Sequence, residues 1–149
     1  MAPDATIEGR FDGIEHRFPV RVYFEDTDLS GVVYHANYLR FMERARSDML
    51  RLAGIDQRAA HEAGEGAYAV RDMAIRWLAP ARLDDMLVVV SKLMKIRAAA
   101  ALIHQRVMRG QTILAQADVE AAFVAPSGRP RRQPTDWITK FEHLLWKGH

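Results

Sequence analysis

Residues 37–54 read NYLRFMERARSDMLRLAG, and the spacing of their apolar side chains sets what the rest of the chain must supply. At 100° per residue, Tyr38, Met42, Ala45, Met49, Leu52 and Ala53 fall on one stripe, widened by Phe41 on one side and by Leu39 and Leu50 on the other. Arg40, Arg44, Ser47 and Arg51 occupy the opposite side. The spacing predicts a helix that is nearly surrounded and keeps one polar edge. Asn37 is a good N-cap and Gly54 a good terminator, so the helix is expected to run to about Ala53.

The flanks supply what surrounds it. Before the helix, Val20, Val22 and Phe24 alternate with Arg21 and Tyr23, which predicts a strand over residues 18–24. EDTDLSG, residues 25–31, is rich in turn-forming side chains and reads as a loop. After the helix comes a small-residue connection with Gly64 and Gly66. In residues 68–78, Tyr68 and Val70 keep one phase while Met73, Ile75 and Trp77 keep the other, so a bulge is expected near Arg71 and Asp72. LAPARLDD, residues 78–85, breaks regular structure at Pro80. Three further strands follow over 86–96, 101–109 and 112–124, the last two joined by a turn at Arg109, Gly110 and Gln111. In the last, Ile113, Ala115, Ala117, Val119, Ala121 and Phe123 alternate with Gln116, Asp118 and Glu120.

One strand, one long helix and then four strands is an α+β order. The expected architecture is a five-stranded antiparallel sheet wrapped around one long central helix. All 149 residues are expected to form a single domain, with residues 1–16 as an N-terminal extension. Residues 126–149 form a tail ending in a short amphipathic helix that contains Trp137, Ile138, Phe141, Leu144 and Leu145.

Composition narrows the chemistry. The formal charge is +2 with Lys and Arg scattered, so no nucleic-acid partner is expected. The absence of cysteine removes disulfides, a thiolate zinc site and a cysteine nucleophile, and is compatible with the cytoplasmic location expected here. No stretch has the roughly 18 uncharged apolar residues of an integral membrane segment. The six histidines lack HxxxH or HExxH spacing, so neither a metal nor another cofactor is expected.

Chemistry concentrates in residues 23–46, where a strand ends, acids cluster and a helix begins. Asp28 and His35 are seven residues apart across Gly31, and a compact loop can turn both toward the same space. A helix start offers free N–H groups and partial positive charge to a developing oxyanion. Taken alone, Asp28 reads equally as a turn or cap residue. Glu25 and Asp26 read as acceptors for loop amides, Glu43 as a partner for Arg40, Arg44 or Arg46, and the arginines at 129, 131 and 132 as a solvated turn.

EDTDLSGVVYHANYLRFMERAR (residues 25–46), supported by RDMAIRWLAPARLDD (residues 71–85), resembles the 4-hydroxybenzoyl-CoA thioesterase-like branch of the hotdog superfamily, and within it the acyl-CoA thioesterases associated with Tol-Pal genes. The resemblance implies a hotdog fold and hydrolysis of acyl-CoA to free acid and coenzyme A. Asp28 takes the place of the catalytic carboxylate, as general base or nucleophile, and His35 sits beside it. A backbone N–H near His35, where Asn37 begins the helix, would hold the thioester carbonyl. Tyr34 would line the acyl pocket, and Arg97 falls where relatives contact coenzyme A phosphates. A homodimer or homotetramer is implied, with an acyl carrier protein as a second candidate thioester carrier. Two rival readings use the same residues: a hotdog enoyl-thioester hydratase or dehydratase, and a non-enzymatic partner that binds acyl-CoA or acyl carrier protein. Hydration without thiol release marks the first, and binding without turnover the second.

Overall fold

The computed structural model describes residues 8–148. Its six strands are β1 (Arg10–Asp12), β2 (Glu15–Arg21), β3 (Ala67–Trp77), β4 (Met86–Ile96), β5 (Ala100–Arg109) and β6 (Thr112–Val124). They form one antiparallel sheet in the order β1-β2-β4-β5-β6-β3. The long helix α1 (Asn37–Leu52) lies across one face of it. Phe41, Met42 and Ala45 of α1 are fully buried against Val22, Val89, Val107 and Leu114, so the expected stripe is the face that meets the sheet. In β6 the buried Ala115, Ala117, Val119 and Phe123 take one phase, with Gln116, Asp118 and Glu120 in the other.

A short helix α2 (Gln57–Glu62) follows α1, and α3 (Thr135–Glu142) closes the chain. Trp137 and Phe141 of α3 pack with Met49, Leu50, Leu93 and Phe123 in a second core cluster. Beyond α3, the Trp146 N–H donates to the Leu93 carbonyl at 2.9 Å, which pairs a stretch of β4 that β2 does not reach. Among the described residues, no helix is long and apolar enough to cross a membrane.

The sheet has six strands rather than five, because part of the expected N-terminal extension is structured. Arg10–Asp12 and Glu15–Arg21 form a hairpin at one edge, while residues 1–7 of that extension lie outside the described residues. The first expected strand shifts accordingly: β2 ends at Arg21, and the chain leaves the sheet through a 3-10 turn over Phe24–Asp26. Phe24, expected to end that strand in phase with Val20 and Val22, is therefore 82% exposed. Asn37 is not the N-cap. Ala36 holds that position, and the Asn37 side chain is turned back to bind Asp26. The register shift between Val70 and Asp72 is the expected bulge. Helix α2 was not expected, although Asp56 caps it by accepting from the Ala59 N–H at 2.9 Å.

Candidate active site

The segment between β2 and α1 is organised around Asp26, which is buried. Its Oδ2 accepts the Tyr23 N–H and its Oδ1 the Asn37 side-chain amide, both at 2.8 Å, and its carbonyl accepts the Tyr34 N–H at 2.9 Å. One carboxylate thus ties the strand exit, the loop return and the start of α1 together, the amide-satisfying role expected of it. Thr27 pairs with Val33, the Asp28 N–H donates to the Val32 carbonyl at 2.9 Å, and Gly31 closes the reversal at φ +82°.

Asp28 projects from this reversal into solvent. Its Oδ1 accepts the Ser30 hydroxyl at 2.5 Å and the Ser30 N–H at 2.8 Å. The hydroxyl bond first, and then the Ser30 amide, holds the Asp28 carboxyl below its ordinary 3.8, so the group is a carboxylate at neutral pH. The His35 ring lies 4.5 Å from that of Tyr34 and 5.6 Å from that of Trp77, while Trp77 Nε1–H donates to the His35 carbonyl at 3.0 Å. The end of β3 is thereby fastened to the start of α1. His35, Tyr38, Trp77 and Pro80 line a cavity of about 280 Å³. Burial raises the pKa of Tyr38, whose hydroxyl oxygen accepts the Ala81 N–H at 3.0 Å. Among the described residues, the N–H groups of His35 and Ala36 donate to no protein acceptor, leaving two free donors at the helix start.

Of the residues singled out from sequence, the loop brings Asp28, Tyr34 and His35 onto one exposed stretch. Among the described residues no hydrogen bond joins Asp28 to His35. Asn37 is part of the framework through Asp26. Arg97 is not brought to this loop. It follows β4 at the opposite end of the sheet, where its guanidinium pairs with Glu120 at 3.1 Å, and eleven residues of strand span about 36 Å. Ser30 and Trp77 were missed as site residues. A serine two positions after an aspartate is a recognisable Asx-turn signal, whereas nothing local in the sequence links Trp77 to His35.

A larger cavity of about 450 Å³ opens between α1 and the β3, β5 and β6 part of the sheet, lined by Leu39, Arg46, Leu50, Met73, Ile103 and Phe141 among others. Its size is in the range of small-molecule sites. The tail arginine Arg131 has a structural role, donating to the carbonyls of Gly64 and Glu65.

Comparison with known proteins agrees with this geometry. Residues 22–141 match the Thioesterase-like superfamily. The acyl-CoA thioesterase YbgC of Haemophilus influenzae is 41% identical over 128 residues, covering 85% of this chain and 94% of the relative. The acyl-CoA thioester hydrolase YbgC of Escherichia coli O157:H7 is 42% identical over 128 residues, covering 85% of this chain and 95% of the relative. Among solved structures, a probable thioesterase from Bartonella henselae superposes with a TM-score of 0.77 at 39% identity, over 80% of this chain and 99% of the other. Fold, motif and relatives converge: the chain belongs to the thioesterase-like superfamily and carries its hotdog fold.

Proposed function

We propose that this protein hydrolyses acyl-CoA thioesters, with Asp28 as the carboxylate that drives the reaction. The observation that carries the reading is an ionised, solvent-facing carboxylate in the same short loop as a helix start whose His35 and Ala36 N–H groups donate to no protein acceptor among the described residues. In the general-base route, Asp28 takes a proton from water as the water oxygen attacks the thioester carbon. The His35 and Ala36 N–H groups hold the resulting oxyanion, the carbon–sulfur bond breaks, and the thiolate leaves with the electron pair. In the nucleophilic route, an Asp28 oxygen attacks the thioester carbon, the carbon–sulfur bond breaks and the thiolate leaves, and water then opens the mixed anhydride to the free acid and the Asp28 carboxylate. A single turnover in heavy-oxygen water that labels the Asp28 carboxylate demonstrates the second route, with water opening the anhydride at the Asp28 carbon, since the general-base route places the label in the product acid alone. His35, held between Tyr34 and Trp77, orients the water or the acyl group, and Tyr34 lines the acyl path. Thiol release from acyl-CoAs of increasing length tests the activity, and absence of release across the series would overturn it. The same assay on acyl carrier protein thioesters decides between the two carriers.

Ser30 sets the protonation of Asp28. Ser30→Ala removes the hydroxyl that most lowers the carboxyl pKa, so the acid limb of the kcat/KM profile is expected to move to higher pH, while the plateau changes little. A limb that stays in place would separate that limb from Asp28.

The reading includes a homodimer. β3 is an eleven-residue strand with no neighbour on its outer side among the described residues; Val70 and Trp77 in it, and Leu78 just beyond it, are about half exposed. A long apolar edge of this kind invites a second copy. Antiparallel pairing of β3 with itself sets the Trp77 end of one copy beside the Tyr68 end of the other. The Asp28 loop of one protomer then faces the larger cavity of its partner, and the partner's Arg97 moves toward the reacting end. Sedimentation of the native chain is expected to give at least a dimer at micromolar concentration, and an active monomer would contradict this arrangement.

A further inference from the structure

The larger cavity carries a feature that thioester hydrolysis alone does not call for. Arg46 points from the middle of α1 toward the sheet and lines that cavity. Among the described residues its guanidinium makes one side-chain hydrogen bond, from Nη1 to Gln105 Oε1 at 2.9 Å, and no carboxylate lies within 4.0 Å of it. Gln105 is locked in that orientation, because its Nε2 donates to the Met42 carbonyl and to Ser91 Oγ, each at 2.9 Å. Its oxygen is therefore presented to Arg46, which is anchored on one side and keeps the rest of its donor fork for another partner.

The surroundings make this costly without a ligand. Leu50, Met73, Ile103 and Phe141 give the cavity apolar walls, and burial disfavours the charged form of Arg46. Glu43, one turn back on α1, lines the same cavity and favours the charge, but is exposed and not in contact; Arg40, also exposed, adds a second positive charge. The cavity thus combines apolar walls with an excess of positive charge on its α1 side and a guanidinium held by Gln105.

We propose that this cavity receives the acyl group and that Arg46 recognises a carboxylate at its far end, so that the preferred substrates are dicarboxylic acid monothioesters of coenzyme A. The proposal rests on the hydrolase reading above, and its test is arranged to stand without turnover. Paired non-hydrolysable thioethers, S-alkyl-CoAs of several lengths with either a methyl or a carboxylate terminus, are titrated calorimetrically into the wild-type protein and into Arg46→Met and Arg46→Lys. At the best length the wild type is expected to bind the carboxylate member about 10- to 100-fold more tightly, as befits a charge-assisted hydrogen bond. Arg46→Met is expected to erase the difference and Arg46→Lys to restore part of it. Equal or tighter binding of the methyl member at every length in the wild type would overturn the proposal, a result that does not depend on any variant folding. Equal weakening of both members by Arg46→Met would also overturn it, since Arg46 would then contact the shared coenzyme A moiety or only support the fold. Failure of the hydrolase reading is seen separately, as absence of thiol release from the matching thioesters.

Discussion

Asp28→Asn is expected to lower thiol release from acyl-CoA by at least about 10²- to 10⁴-fold, the range for a positioned acid or base, while leaving the protein folded. The two halves of that expectation come from different observations. The fold is spared because Asp28 is exposed and, among the described residues, its carboxylate binds only Ser30; an asparagine oxygen accepts the same hydroxyl and N–H. The chemistry is lost because an amide neither removes a proton from water nor attacks a thioester. Asp26, two residues earlier, makes the informative contrast. It is buried and accepts from both Tyr23 and Asn37, so Asp26→Ala is expected to disorder the loop and the start of α1 together. Thiol capture by a chromogenic disulfide gives a clean readout, since the chain has no cysteine of its own. A folded Asp28→Asn protein that keeps activity within about threefold of wild type would remove Asp28 from the reaction, because no general-base contribution is that small.

The different fates of these two acids show what sequence can and cannot say about the site. Asp26 and Asp28 are chemically the same and sit in the same loop. Local reasoning assigns both to turn formation, and Asp28 does bind Ser30 in just that way. Spacing from His35 makes Asp28 a candidate, and the resemblance carried by the longer motif marks it as the catalytic one. The helix needed no such help, because burying one side of α1 imposes a 3.6-residue period that Tyr38, Met42, Ala45 and Met49 record directly. Shorter features left weaker traces. β1 has three residues, too few to show alternation, and it exists because β2 offers it an edge. Phe24 continues an alternation that the backbone abandons once Asp26 captures the Tyr23 N–H. Arg97 is singled out by resemblance alone, and its guanidinium pairs with Glu120, which Arg71 also approaches, at the far end of the sheet from the Asp28 loop.

Asp48 is the deepest omission, and it carries the largest expected effect on stability. It lies on the buried side of α1, between Ala45 and Met49, where periodicity calls for an apolar residue. His16 of β2 meets it, with Nε2 at 2.7 Å from Oδ2, and the Gly9 N–H donates to the same oxygen at 2.9 Å. Gly9 is required there, since a Cβ would stand 2.4 Å from the Arg17 carbonyl oxygen and 2.8 Å from the Asp48 carboxylate. The carboxylate therefore pins the N-terminal hairpin to the central helix. Asp48→Ala strands the buried His16 Nε2 and the half-buried Gly9 N–H, which costs about 2–6 kcal/mol at 1–3 kcal/mol each. For a chain of this size that lowers Tm by roughly 6–18 °C. The pin also gives stability a pH dependence of definite sign. Burial lowers the His16 pKa from its ordinary 6.5, with Asp48 opposing, so the unfolded chain binds the proton more readily than the folded one. Stability is then complete above about pH 6.5 and is lost as pH falls from there toward the folded value. In Asp48→Ala the opposing carboxylate is gone, and the loss on acidification is expected to extend to lower pH. Thermal melts of both proteins across this range, with exchange of the Gly9 amide as a local probe, check each part. A cost below about 1 kcal/mol with Gly9 still protected would mean that the hairpin is held by the packing of Phe11 and Phe18 around His16 instead.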